Sequence, residues 1–254
     1  MIEIGSLSEI AGQFDAMLID QFGVMHDGRK LYPGTLAALK DLHDRGIPVV
    51  ALTNSGKRSS GNMARLVKLG IPRGHVHALL SSGELAYGEV QGKKVFAIGK
   101  DGEDYGFEGV EFVSSMGRAE IVVVLGTNAP QTSLDDYQAL LKNCSLPMLC
   151  CNPDKLMITP HGLVPAPGAI ADLYAAMGGQ VSWIGKPYPE IYRAALRILG
   201  EPRRVLCVGD SAEHDVAGGK SAGLSTLLIL SGVSQGLSLG DIHPKPDYVM
   251  KAFQ

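Results

Sequence analysis

Short apolar runs alternate with segments of helical periodicity along this chain of 254 residues. Near its start, the runs MLID (17–20) and IPVVAL (47–52) alternate with GTLAALKDLHDRG (34–46) and SSGNMARLVKLG (59–70). Both of the longer segments have apolar residues at helical spacing and end in glycine, a residue that suits the end of a helix. This β-α-β-α order predicts a parallel sheet with helices on both faces, since parallel strands need crossover connections.

The same order returns at the far end of the chain. A helix over 189–199, begun by proline and ended by glycine, precedes the buried strand RVLCVGD (204–210). A short helix over 215–223 and the strand STLLIL (225–230) follow, and DYVM (247–250) is predicted as a final edge strand. The two ends together predict a doubly wound α/β core.

The middle of the chain reads as a separate α/β domain inserted into that core. We predict a core domain over 1–83 and 181–254 and an inserted domain over 84–180. The inserted domain is predicted to contain strands over 94–99, 110–113, 120–126 and 148–154 and helices over 133–143, with Ser133 as N-cap, and 168–179.

Composition and charge exclude several classes of partner. The net charge of −3 gives no reason to expect nucleic acid or an anionic membrane as partner. The opening MIEIGSLSEI lacks the basic and apolar regions of a signal peptide, and the apolar runs are strand-sized. The four cysteines form no C-x-x-C pair, which favours small buried thiols in a reducing cytoplasm. We therefore expect a cytoplasmic protein.

Polar side chains follow the predicted core strands where each strand ends. Because ligands bind at the carboxyl ends of parallel strands, these side chains are candidates for one site at one edge of the sheet. They are Asp20, Thr53 with Asn54, Ser55 and Gly56, Lys186 after the strand SWIG (182–185), Asp210, and Asp215 about one turn later.

The carboxylates of this set suggest a magnesium site. Two or three carboxylates near one point repel one another unless a divalent cation lies among them, and oxygen ligands suit Mg²⁺. Asp20 and Asp210 are the expected direct ligands. Asp215 is either a ligand, a residue that orients the ligands, or an N-cap for the helix that follows it.

The remaining groups suit a phosphate beside that metal. Lys186 would balance the phosphate charge, and Thr53, Asn54 and Ser55 would bind it through side-chain and backbone donors. Asp20 would then attack phosphorus and form an aspartyl phosphate.

These motifs, in this order, resemble the haloacid dehalogenase superfamily. The chain matches its four motifs at Asp20, at Thr53-Asn54, at Lys186-Pro187 and at Gly209-Asp210-Ser211 with Asp215. The insertion resembles a type-2 α/β cap. The details GVMHDG, TNSGKR, CNPD and GKP resemble the subclass IIA branch of nucleotide, sugar and aryl phosphatases.

The resemblance implies a role for each matched residue. Asp20 would be the nucleophile, and Thr53 and Lys186 would contact phosphate. Asp210 and Asp215 would hold Mg²⁺ together with Asp20 and the backbone carbonyl of Phe22. Caps of this type often form dimer surfaces in the family, so a homodimer is a further expectation.

Phe22 departs from the family pattern, which usually has a second aspartate as general acid and base at that position. Loss of a general acid typically costs about 10²–10⁴ in rate, most for poor leaving groups. The candidate replacements for this general acid are His26 or Asp27 nearby, or Asp154 from the inserted domain.

The function predicted from the sequence is a Mg²⁺-dependent phosphatase acting on a small phosphorylated metabolite, slowed by Phe22. The alternatives are a phosphotransferase or mutase that passes the aspartyl phosphate to another acceptor, and a non-catalytic protein that binds phosphorylated ligands.

Overall fold

The computed structural model describes residues 1–159 and 162–254. The chain divides into two compact units. The first comprises Met1–Thr53, Met63–Leu80 and Lys186–Gln254, and the second comprises Asn54–Asn62 and Ser81–Gly185. Each unit has its own sheet and its own apolar core.

The strands and helices of the described residues are as follows. The strands are β1 (Ile2–Glu3), β2 (Ala16–Asp20), β3 (Val49–Thr53), β4 (Ala78–Ser81), β5 (Lys94–Ile98), β6 (Glu111–Phe112), β7 (Ile121–Val124), β8 (Met148–Cys150), β9 (Leu156–Thr159), β10 (Gly162–Pro165), β11 (Val181–Trp183), β12 (Val205–Gly209), β13 (Ser225–Ile229) and β14 (Tyr248–Met250). The helices are α1 (Thr35–Asp44), α2 (Ser59–Lys68), α3 (Ser82–Glu89), α4 (Leu134–Leu141), α5 (Pro167–Ala176), α6 (Pro189–Ile198) and α7 (Ala217–Ser221).

The first unit is built on a seven-stranded sheet in the order β1-β14-β13-β12-β2-β3-β4. The pairs from β1 to β3 are parallel. The central strands β2, β3 and β12 are buried almost throughout, as expected for parallel strands covered on both faces. The predicted doubly wound α/β fold is confirmed.

One prediction about this sheet is wrong, because β14 is not an edge strand. The two-residue strand β1 pairs outside it, with Ile2 opposite Tyr248 and Glu3 opposite Val249. Both residues of β1 are exposed and too few to show a strand periodicity. The N-terminal segment therefore covers the edge that the sequence pattern assigned to β14.

The second unit contains a five-stranded parallel sheet in the order β11-β8-β7-β5-β6, and an antiparallel hairpin of β9 and β10. Strand β11 was predicted to belong to the core sheet, and this is wrong. Val181 lies opposite Met148 and Trp183 opposite Cys150. The sequence of a three-residue strand does not indicate which sheet the strand joins. The pairing of β11 with β8 assigns it to the sheet of the second unit.

Local signals at the helix ends agree in part with the structure. The predicted N-cap Ser133 is confirmed, since its Oγ accepts a hydrogen bond from the Asp136 amide at 3.2 Å. The helix predicted over 215–223 differs, because a π-helical turn, Ala212–Val216, precedes the short α7. In the described part of the chain, no helix has the length and apolar character needed to cross a membrane.

Candidate active site

Three neighbouring strands of the first unit end at the candidate site. Asp20 is the last residue of β2 and lies opposite Leu52, one residue before the end of β3. Thr53 ends β3 and is buried. On the other side β12 is parallel to β2, with Val208 opposite Ile19, and Asp210 follows the end of β12. The parallel register therefore sets these polar residues side by side.

A buried cluster of four charged residues forms at this edge. Oxygen atoms of Asp20, Asp210 and Asp215 all lie within 4.8 Å of one another. The Lys186 ammonium is 2.8 Å from Asp20 Oδ1 and 2.7 Å from Asp215 Oδ1. Lys186 therefore pairs with two of the three carboxylates, and we call these four residues the acid cluster.

Burial and crowding shift the titration of the acid cluster. Burial raises the pKa of Asp20 to about 7, Lys186 opposes this shift, and the Asp215 charge adds to it. Burial, with the charges of Asp20 and Asp215, raises the pKa of Asp210 to about 8. Burial alone would lower the pKa of Lys186, but the two carboxylates beside it raise it, so the ammonium stays charged.

The donor set of the acid cluster fits a divalent cation. The three carboxylates converge in a buried position beside the Lys186 ammonium, and burial together with the charge of neighbouring carboxylates raises the pKa values of Asp20 and Asp210. Hard oxygen donors of this kind suit Mg²⁺ or Ca²⁺.

Two glycines make room for Asp210. Gly23 and Gly232 both have positive φ, 81° and 52°, and a Cβ on either would lie within about 2 Å of Asp210 Oδ2. The Val233 amide donates to the same oxygen at 2.8 Å. No motif in the sequence marks Gly232 and Val233 as site residues, although they follow β13 at the same edge of the sheet.

Asp215 lies inside the π-helical turn and does not cap a helix. The cap of that turn is Ser211, whose Oγ accepts from the His214 amide at 3.1 Å. Asp215 Oδ2 accepts from the Ser211 amide at 3.1 Å, while its Oδ1 faces Lys186. The N-cap alternative for Asp215 is therefore wrong, and the π turn places its carboxylate in the acid cluster, as such turns often do at functional sites.

Asn54, Ser55 and Asp154 belong to the second unit. The Asn54 side-chain amide donates to Asp154 Oδ1 at 3.0 Å, and Ser55 Oγ accepts from the Lys57 amide at 3.3 Å. The structure thus brings two of the predicted residues, Asn54 and Asp154, together as a hydrogen-bonded pair.

The loop after Asp20 contains an exposed aromatic ring and a buried imidazole. Phe22 is 41% exposed, and its ring meets the His26 ring edge-on, with centroids 4.5 Å apart. His26 Nδ1 accepts from the Gly28 amide at 3.0 Å, and Nε2 is buried without a partner among the described residues. Burial and the nearby Arg65 charge lower the pKa of His26 to about 4, so the ring is neutral near pH 7.

Asp27 organises the turn that follows. Its Oδ1 accepts the backbone amides of Arg29 at 2.8 Å and Lys30 at 2.9 Å. These hydrogen bonds lower the pKa of Asp27, which makes it a poor proton donor at neutral pH.

Two family models match the chain. Residues 17–113 match the haloacid dehalogenase-like hydrolases, and residues 183–254 match a second model of the same kind, described as HAD-hydrolase-like. Between them they include every member of the acid cluster.

Known proteins similar to this chain are hydrolases and phosphatases. The 5'-nucleotidase YutF of Bacillus subtilis is 29% identical, covering 93% of this chain and 95% of its own. A haloacid dehalogenase-like family hydrolase from Brucella suis 1330 superposes with a TM-score of 0.88 at 26% identity, covering 99% and 100%. The glycerol phosphate phosphatase Rv1692 of Mycobacterium tuberculosis, solved in complex with calcium, gives a TM-score of 0.72 at 27% identity, covering 94% and 74%.

Proposed function

Because this chain belongs to the haloacid dehalogenase-like hydrolases, we propose that it is a Mg²⁺-dependent phosphatase. Its substrate is a small phosphorylated metabolite: a sugar phosphate, a nucleotide or an aryl phosphate. The reaction proceeds through an aspartyl phosphate on Asp20. The observation that carries this proposal is the acid cluster, in which three carboxylates converge and Lys186 pairs with two of them.

Accessibility supports Asp20 as the nucleophile. Its side chain is 11% exposed, against 3% for Asp215 and 4% for Lys186. Asp20 is also the member that ends a central strand, where a substrate approaches the edge of a parallel sheet. A substrate therefore reaches Asp20 more readily than Asp215.

The other members of the acid cluster have supporting roles. Lys186 opposes the rise that burial causes in the pKa of Asp20, which favours the ionised, nucleophilic form, and it offers a positive charge to the phosphate. Asp20, Asp210, Asp215 and the Phe22 carbonyl are the proposed ligands of Mg²⁺. When bound, the metal would offset the repulsion between the carboxylates and the incoming phosphate.

The same proposal includes the residues that bind phosphate, the cellular location, the cap domain and the oligomeric state. Thr53, at the end of the strand beside Asp20, and Asn54 and Ser55 after it would donate to the phosphate oxygens. We place the enzyme in the cytoplasm, with residues 84–180 acting as a cap domain, and propose a homodimer. Phosphatase names among its relatives support a small phosphorylated substrate.

A phosphotransferase is the second candidate, because of the loop after Asp20. In that loop Phe22 has no proton to exchange, and His26 and Asp27 are engaged with backbone amides. Slow activation of water would let the aspartyl phosphate persist long enough to meet another acceptor. Added alcohols that reduce phosphate release, while the leaving group still departs, would identify transfer.

The direct test is release of phosphate from p-nitrophenyl phosphate with and without Mg²⁺, using Asp20→Asn. We expect Mg²⁺-dependent release that falls by about 10⁴–10⁶ in the variant, as for other enzymes that lose their nucleophile. Acid-quenched protein should carry one phosphoryl group on Asp20 by mass spectrometry.

Asp15→Asn is the matched control. Asp15 precedes β2 at the opposite end of the same strand and pairs with Arg204, so its loss should leave the rate unchanged within about twofold. Equal rates in the wild-type protein and Asp20→Asn would overturn the proposed function.

A further inference from the structure

The ring of Phe22 is an exposed aromatic surface beside the proposed nucleophile. Two residues of chain span at most about 7 Å, so the backbone of Phe22 lies close to that of Asp20. Large apolar side chains that stay 41% exposed in such a position are candidates for contact with a ligand.

Neighbouring residues hold this ring in place. His26 packs edge-on against it, and a Cβ at Gly28, where φ is 92°, would come within 3.0 Å of Phe22 Cε1. The ring is therefore wedged against the turn of its own loop, which lowers the entropy cost of binding a ligand on its exposed part.

Arg65 adds a positive charge at the same place. Its guanidinium carbon lies 5.5 Å from the centroid of the Phe22 ring, within the range of a cation–π contact. Among residues 1–159 and 162–254, Arg65 forms no ion pair with a carboxylate. Its charge is thus available to an anion that lies on or beside the ring.

The loop offers no proton donor to a leaving group. His26 uses Nδ1 to accept from Gly28, and its Nε2 is buried. Asp27 uses its carboxylate to hold the turn amides. A leaving group at this place must depart without help from these side chains, which favours groups that are stable as anions.

We propose that Phe22 and Arg65 form a leaving-group subsite for an aromatic or enolic group that departs as an anion. This inference rests on the proposed phosphatase function. Asp20 forms a bond to phosphorus while the bond from phosphorus to the leaving oxygen breaks. The electron pair stays on that oxygen, whose charge Arg65 attracts, and the freed anion takes its proton from water. Aryl and enol phosphates are therefore preferred over alkyl phosphates.

Binding of phosphonates tests the subsite without turnover. Calorimetry with Mg²⁺ present would compare benzylphosphonate, which carries a ring at the leaving-group position, with ethylphosphonate, which does not. We expect the wild-type protein to bind benzylphosphonate about three- to tenfold more tightly, the range of an aromatic contact. Phe22→Leu should remove this preference.

Two arginine variants separate the charge of Arg65 from a general loss of positive charge. Arg65→Met should weaken benzylphosphonate binding about threefold or more. Arg203→Met removes an exposed arginine before β12, at the opposite end of the sheet, and should change nothing. An unchanged preference for benzylphosphonate in both Phe22→Leu and Arg65→Met would overturn the subsite and leave the Phe22–Arg65 contact as surface packing.

Kinetics with a series of substituted phenyl phosphates tests the departure of the anion. The logarithm of kcat/KM should fall steeply as the pKa of the leaving phenol rises. Phe22→Asp, which supplies an acid, should flatten this slope and raise the rate on alkyl phosphates by up to about 10². Identical slopes in both proteins would overturn the inference. Absence of any Asp20-dependent release would instead overturn the phosphatase proposal, and the phosphonate titrations would still decide the subsite.

Discussion

Two groups of charged residues in this protein have similar ion-pair distances but a different balance of charge. In the first unit, Lys186 lies 2.8 and 2.7 Å from Asp20 and Asp215. In the second unit, Arg58 lies 2.6 Å from Glu84. The Arg58–Glu84 pair is balanced, since Arg58 donates twice to Glu84 and the carboxylate also accepts the Ser59 amide at 2.9 Å.

The pKa shifts separate the two groups. The hydrogen bond from Arg58 lowers the pKa of Glu84, and the pKa of Arg58 is raised in return, so both ions are stabilised. In the acid cluster the pKa values of Asp20 and Asp210 are raised. A balanced pair stabilises a fold, whereas a cluster with surplus charge of one sign costs stability and is typical of a site that binds an ion or reacts.

Removing the lysine should have the largest effect on stability. Lys186→Met leaves three buried carboxylates without a cation and should lower the free energy of unfolding of the metal-free protein by about 3–5 kcal/mol near pH 8. Urea unfolding measures this, and added Mg²⁺ should restore part of the loss.

Lys40→Met is the control for this comparison. Lys40 pairs with Asp44 on the exposed face of α1, so its removal should cost less than about 0.5 kcal/mol. Equal losses in the two variants would mean that Lys186 is not compensating buried charge.

The stabilisation of the protein by Mg²⁺ should depend on pH, because carboxylates of the acid cluster titrate near neutral pH. The folded-state pKa values of Asp20 and Asp210, about 7 and about 8, lie above the ordinary value of 3.8. Between pH 3.8 and about pH 8, the metal-free folded protein therefore holds more protons than the unfolded chain. Its free energy of unfolding falls as the pH rises through this window. Mg²⁺ needs the ionised carboxylates, so the rise in Tm that it causes should be larger near pH 8.5 than near pH 6.

Thermal unfolding with and without Mg²⁺ at the two pH values measures this difference. Asp210→Asn should remove most of it, and Glu84→Gln should retain it. A rise in Tm that is the same at both pH values in the wild-type protein would contradict the assignment of the metal to these carboxylates.

The smallest expected effect is a difference in sign between two changes in stability, one for a variant of each group. Glu84→Gln replaces the charge-assisted hydrogen bonds of a balanced pair by neutral ones and should destabilise the protein by about 1–2 kcal/mol. Asp210→Asn removes a surplus negative charge and should leave the metal-free protein equally or more stable near pH 8. Urea unfolding of both variants without metal tests this, and destabilisation of both would show that Asp210 has a structural role like that of Glu84.

Much of the fold was predictable because long elements carry strong local signals. The buried strands β2, β3 and β12 show as continuous apolar runs, and helix α1 shows its apolar spacing at Leu39 and Leu42. Elements of two or three residues, such as β1 and β11, contain too little sequence to show a periodicity. Their place was decided by pairing with strands far away in the chain.

The sequence by itself determined the order of the motifs and the residue types of the acid cluster, because strand ends and the residues that follow them are local features. Only the tertiary structure decided how close the charges of the cluster lie to one another and how deeply they are buried. Parallel register and the π-helical turn bring Asp20, Asp210 and Asp215 within 4.8 Å, and burial then raises the pKa values of two of them. Likewise the sequence shows Phe22 two residues after Asp20, but its contact with Arg65 depends on how α2 packs against the loop. Charge interactions and burial depend on distances in space, which the order of residues along a chain does not fix.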